Sequence, residues 1–226
     1  HIFQNELVDF LKQKDLIDEM MPVKSVATLV FNPNATDMWP AAVMEVDNMI
    51  TMITLVLVGA AVIRERERGT IEHLLVMPVK SAEIVLAKII ANGLVICTIA
   101  LLSMHFMVGG LLQVPLLGSL TLFALGAGLF MFSIASLAVM LATLAPTMPQ
   151  YSLLMMPVYI IALMFSGSSS PRSNMPETAQ WISEYWPTTQ FMTFAQNILL
   201  RGAGFEVVWP QMVAMIISGA LFLGFA

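Results

Sequence analysis

IRERERGTIEHLLVMPVKSAEIVLAK, residues 63–88, holds five of the chain's ten Lys and Arg residues and four of its carboxylates. On both sides the sequence is apolar for the thickness of a bilayer. Upstream lies VMEVDNMITMITLVLVGAAVI, about 43–63, the roughly 20 apolar residues that a membrane helix needs. Downstream, no Asp, Glu, Lys or Arg occurs between Lys88 and Arg172, and none after Glu206. A charge at the bilayer centre costs about 2.5–3.5 kcal/mol on insertion scales, so long charge-free runs are the mark of membrane spans. The composition agrees: 58% of the 226 residues are hydrophobic and 11% charged, against about 25% charged in soluble domains. The fold class expected is an all-α polytopic membrane protein.

Further spans are expected at about 87–112, 119–144, 151–167 and 207–226. The 119–144 span is rich in small residues. Gly126, Ala127, Gly128, Ser133, Ala135 and Ser136 suit close helix packing. Glu45 and Asp47 stand near the start of the first span and fit an interface. The segment 168–206 is too polar to span, yet it contains two helix-like pieces, about 176–186 and 188–201, separated at Pro187. Trp181, Tyr185 and Trp186 suit a membrane interface. The second piece is apolar enough to dip into the bilayer and return, which backbone tolerates only against protein or a water-lined cavity.

Residues 1–19 read as an amphipathic helix, with Ile2, Phe3, Leu7, Phe10 and Leu11 at helical spacing. VKSVATLVFNPN, 23–34, reads as a short strand closed by an Asn-Pro turn. Residues 1–40 are therefore expected to be the end of an external α/β domain, and the chain, beginning at His1, a piece of a longer protein. The 64–88 loop carries five cations, the 168–206 loop two and the 113–118 turn none. By the positive-inside rule, 64–88 is cytoplasmic and 1–40 and 168–206 lie outside, which in a bacterial inner membrane is the periplasmic side.

Within the charged insert, Arg64 to Arg68 alternate in sign with Glu65 and Glu67. Gly69 permits a change of direction. Thr70 can cap a new short helix whose first turn carries Glu72, favoured by the helix dipole, and which ends at Pro78. Ser81 can cap the next helix. Pattern alone leaves two readings open: a solvated loop that enforces topology, or a docking element for a soluble partner.

ERERGTIEHLLVMPV resembles the signature of ABC-2 type permeases, the membrane subunits of many bacterial ABC exporters. In that family Glu-Arg-Glu-x-Gly-Thr-x-Glu-x-Leu follows the second transmembrane helix and forms the coupling helix that contacts the ATPase. It maps here to Glu65, Arg66, Glu67, Gly69, Thr70, Glu72 and Leu74, continuing to Pro78. SGSSSPRSNMP and YWPTTQFMTFAQNILLRGAGFEVVWPQ resemble the family's external loop and re-entrant helices. FNPN before a span resembles the end of the large external domain of the inner-membrane drug-exporter-like branch. The family has six spans, so five of them are expected here.

The resemblance implies a homodimer or heterodimer of permease chains in the bacterial inner membrane, each gripped at about 68–78 by an ATPase subunit that binds ATP and Mg. It implies an external gate around Pro187, Thr188, Thr189, Phe191 and Gly202. It further implies a hydrophobic or amphipathic substrate, and a periplasmic adaptor protein as a partner besides the lipid bilayer. Gly69→Pro, or reversal of Glu67 and Glu72 to Lys, is expected to uncouple transport.

The chain contains no GxxxxGK[ST] phosphate loop, so ATP hydrolysis belongs to another chain or domain. No catalytic constellation, metal site or nucleic-acid-binding pattern is read. His105 on an apolar helix reads as a packing residue or a proton relay. The 19 Met residues lack Met-x-Met clusters, which favours adaptable packing over soft-metal export. The rival functions are a membrane scaffold and a secondary transporter. The latter needs ionisable groups inside the spans.

Overall fold

A computed structural model describes residues 38–67, 81–111, 117–167 and 175–226. Seven α-helices occupy them: α1 Met38–Glu67, α2 Ser81–Leu102, α3 Leu120–Leu144, α4 Met148–Ser166, α5 Glu177–Glu184, α6 Pro187–Leu199 and α7 Phe205–Gly224. A π-helical segment, Ser103–Leu111, continues α2. No strand occurs among the described residues. The strand and helix expected in 1–34 lie outside them, as does the short helix expected after Thr70. Five helices are long and apolar enough to cross a membrane: α1, α2 with its continuation, α3, α4 and α7.

The centre of the arrangement is α3. It packs against α1, α2, α4, α6 and α7. In its most apolar stretch 67% is buried, against 17% for α4 and α7. The difference follows from side-chain size. Ala127, Ser133, Ala135, Ser136 and Ala138 are buried on α3, so neighbouring backbones can come close. The Ser133 and Ser218 hydroxyls meet at 2.8 Å, and a β-carbon at Gly219 would stand 3.0 Å from the Ser133 Cα. One member of the expected small-residue set departs: Gly128 faces open space, on the outer side of the helix. The outer faces of α2, α4 and α7 expose Leu94, Ile99, Leu153, Ile160, Ile217 and Leu221, as lipid-facing helices do.

The inner face of α1 follows a helical repeat: Val43, Asp47, Ile50, Thr54, Leu55 and Val58 are all buried. The Thr51 and Thr54 hydroxyls donate to the carbonyls of Asp47 and Ile50, at 2.9 and 2.6 Å. Asp47 thus lies on the packed face of α1, only 1% exposed. Neither carboxylate oxygen has a hydrogen-bond partner among the described residues. The expectation for His105 also changes. It is exposed, with its ring edge-on to Phe106 at 5.0 Å, so it is not a packed core residue.

One aromatic of α4 reaches into α1. The Tyr151 hydroxyl donates to the Leu55 carbonyl at 2.6 Å, and its ring occupies the space where a β-carbon at Gly59 would sit. Tyr151→Phe keeps the ring and removes the bond. A loss of about 0.5–1.5 kcal/mol is expected, read as a lower unfolding temperature of the purified protein in detergent. No change would mean that the hydroxyl contributes nothing to this contact.

Candidate functional site

Two clusters fasten helix ends on opposite ends of α3. The first lies at its C-terminal end, which the positive-inside assignment places on the cytoplasmic side. α1 does not stop at the apolar boundary near Ile63 but runs on to Glu67, so Glu65, Arg66 and Glu67 are displayed on its last turns. The Arg66 guanidinium donates from Nη1 to the carbonyls of Ala142 and Ala145, both at 3.2 Å. Ala145 is the C-cap of α3. The Glu67 carboxylate accepts the Met148 backbone N–H at 3.1 Å.

The physical reason is the helix terminus. The last carbonyls of a helix and its first N–H groups have no partner within it. The carbonyl end attracts cations and the amide end attracts anions. α3 has no basic residue in its last turn. α4 has no acidic residue in its first turn, and its N-cap Thr147 makes no side-chain cap. Arg66 and Glu67 supply, from α1, what each terminus lacks. The remaining residues of the motif, Gly69, Thr70, Glu72, Leu74 and Pro78, lie outside the described residues.

The second cluster gathers around α6, near the other end of α3. Pro187 opens α6 and is buried with Thr188 and Thr189. The Thr188 hydroxyl donates to the Ala162 carbonyl at 3.1 Å and the Thr189 hydroxyl to the Phe165 carbonyl at 2.8 Å. Phe165 lies in the last turn of α4, where carbonyls lack a partner within the helix, so the Thr189 hydroxyl supplies one. Phe191 stacks on Phe130 with centroids 4.2 Å apart and also meets Phe123 and Phe194. Phe130 is ten residues into α3, about 15 Å along its axis. α6 therefore starts well below the end of α3 and climbs back to it, and its C-terminal Leu199 carbonyl accepts the Leu117 N–H at 2.9 Å.

Gly202 then turns the chain with φ +65°, a left-handed conformation that suits glycine. Its N–H bonds the Ile198 carbonyl at 3.0 Å. Of the aromatics expected at an interface, Trp181 and Tyr185 are exposed and edge-on to one another. Trp186 instead packs inward against Phe165 and Phe222.

Pro187, Thr188, Thr189 and Phe191 thus pack against α3 and α4, Gly202 lies at the far end of α6 beside Leu117, and Glu65, Arg66 and Glu67 gather at the opposite end of α3. Sequence reasoning missed the partners at both ends. Ala142, Ala145 and Met148 act only through backbone atoms, and Gly118 acts only through its missing side chain.

A family model described as ABC-2 family transporter protein matches residues 48–226. The inner membrane transport permease YhhJ of Escherichia coli K12 is 48% identical over 207 residues, covering 91% of this chain and 55% of the relative. The probable multidrug ABC transporter permease YbhR of Escherichia coli K12 is 27% identical over 194 residues, 84% of this chain and 51% of the relative. YbhS, described in the same words and from the same organism, is 26% identical over 200 residues, 86% and 52%. The chain spans about half the length of the curated relatives it matches. No solved structure matches it. The chain belongs to the ABC-2 family of transporter permeases.

Proposed function

We propose that this chain forms the membrane-spanning part of a permease subunit in an ATP-driven exporter of the bacterial inner membrane. Within residues 64–88, the stretch at about 68–78 docks on a separate ATPase, which binds ATP and Mg. The observation that carries the reading is the ordered motif from Glu65 to Leu74, standing at the end of a span whose last turn is bonded to two neighbouring spans. Docking falls on Gly69, Thr70, Glu72, Leu74 and Pro78. Two permease chains pair around a path, and α5 and α6 form a re-entrant external gate. Residues 1–40 are the end of an external α/β domain that meets a periplasmic adaptor. The substrate is hydrophobic or amphipathic, in keeping with the Met- and Phe-rich spans and with relatives named as multidrug permeases.

A second reading, a secondary transporter, draws on one observation. Asp47 is buried in a span with no partner among the described residues, and such groups mark ion pathways. Energy dependence separates the two. Inverted vesicles containing the full-length chain and its ATPase are given ethidium or a fluorescent phospholipid. The exporter reading predicts accumulation that needs ATP and stops with vanadate. Accumulation that ignores vanadate but stops when the proton gradient collapses would establish the secondary transporter instead.

A further inference from the structure

We infer that Arg66 and Glu67 are not contacts for the ATPase but a clamp that carries movement of the coupling segment into α3 and α4. The inference rests on the permease reading above. Two consecutive residues at the end of α1 reach opposite poles of one turn: the cation holds the carbonyl end of α3, and the anion holds the amide end of α4. Neither helix carries a charge of its own there to compete. The segment after Glu67 leads to Ser81, the start of α2. Without the clamp, a push on 68–80 acts on α1 and α2 alone. With it, the same push acts on the α3–α4 turn as well. Because α3 also carries α6 through the Phe191–Phe130 stack, the path continues to the external cluster.

The order of the two charges matters more than their number. Exchanging them, Arg66→Glu with Glu67→Arg, keeps the net charge and the composition. It places an acid before the α3 carbonyls and a base before the α4 N–H groups, repulsive at both poles. Glu67→Gln keeps an acceptor oxygen for the Met148 N–H, whereas Glu67→Ala keeps none. A clamp tolerates Gln better than Ala. An ion pair to a cationic residue on the ATPase is broken by either.

The test uses the full-length chain with its ATPase in nanodiscs, in a Cys97→Ala background. A bimane label is placed at Leu153→Cys on α4 or at Leu94→Cys on α2, both exposed positions, and its response to ATP with vanadate is recorded beside ATP hydrolysis. With Glu67→Ala the α4 response is expected to fall about twofold to fivefold, the range a helix-terminal charge contact is worth. The α2 response and ATP hydrolysis persist, Glu67→Gln retains most of the α4 response, and the exchanged pair loses it. Equal loss at α2 and α4, with Gln as damaging as Ala, overturns the clamp and makes Glu67 an ATPase contact. Unchanged responses in the exchanged pair also overturn it. Absence of any response or hydrolysis in the unsubstituted complex strikes the permease reading itself, and is thereby distinguishable.

Discussion

Gly118→Ala is expected to detach the C-terminal end of α6 from the start of α3. A β-carbon there would stand 2.1 Å from the Ile198 carbonyl oxygen and 2.7 Å from its carbon. These are backbone atoms, so no rotamer change relieves the overlap. The same Ile198 oxygen accepts the Gly202 N–H, and the next carbonyl accepts the Leu117 N–H. Moving one strand of this contact breaks the other. Overpacking typically costs about 1–3 kcal/mol, and a lost hydrogen bond adds about 0.5–1.5 kcal/mol. A drop of several degrees in unfolding temperature is therefore expected in detergent, with faster proteolysis after Arg201. Gly128→Ala is the control. A β-carbon there meets nothing, and Ala is favoured over Gly in a helix by about 1 kcal/mol. Gly128→Ala should melt at or above the temperature of the unsubstituted protein. If both variants melt alike, the close approach at Gly118 is wrong.

Gly69→Pro has the second large expected effect, on function rather than stability. Gly69 stands two residues past the end of α1, where the motif calls for a change of direction. Proline fixes φ near −65° and removes the backbone donor. Under the proposed reading, the segment beyond Gly69 then meets the ATPase at the wrong angle, while the spans, which contain none of it, insert as before. Transport should fall by about tenfold or more, the factor that 1.4 kcal/mol of coupling energy represents, with the amount of inserted protein unchanged. Transport and hydrolysis both at normal levels would remove the lever from the account.

The spans were legible because charge is excluded from them. Three of the five expected ranges begin within about one helical turn of the helices α3, α4 and α7. α1 is longer than its apolar core, since the alternating charges Arg64 to Glu67 are good helix formers that extend it into water. The break at Pro187 and the two short helices around it were legible from proline alone.

What could not be read was which side of each span faces inward. A helix that is apolar all round has no periodicity to reveal its buried face. Gly128 was therefore placed in a contact, and the packed side of Asp47 went unread. The π-helical turn at 103–111 has no local signature in SMHFMVGGL. At the candidate sites, the motif announced Arg66 and Glu67 but not their partners, which lie at Ala142, Ala145 and Met148. A backbone carbonyl or N–H leaves no trace in the residue type that carries it. The Thr188 and Thr189 hydroxyls are the same case in reverse, since the carbonyls they donate to belong to Ala162 and Phe165.

The account turns on the segment 64–88 joining this chain to an ATPase. The most direct measurement is vanadate-sensitive ATP hydrolysis in material purified through a tag on the full-length chain, co-expressed with candidate ABC ATPases, with and without Glu72→Lys. The account predicts that one ATPase co-purifies and hydrolyses ATP. It further predicts that Glu72→Lys releases that ATPase or leaves it hydrolysing without driving transport. Purification of the chain alone with every candidate, or a Glu72→Lys complex that transports normally, would contradict it.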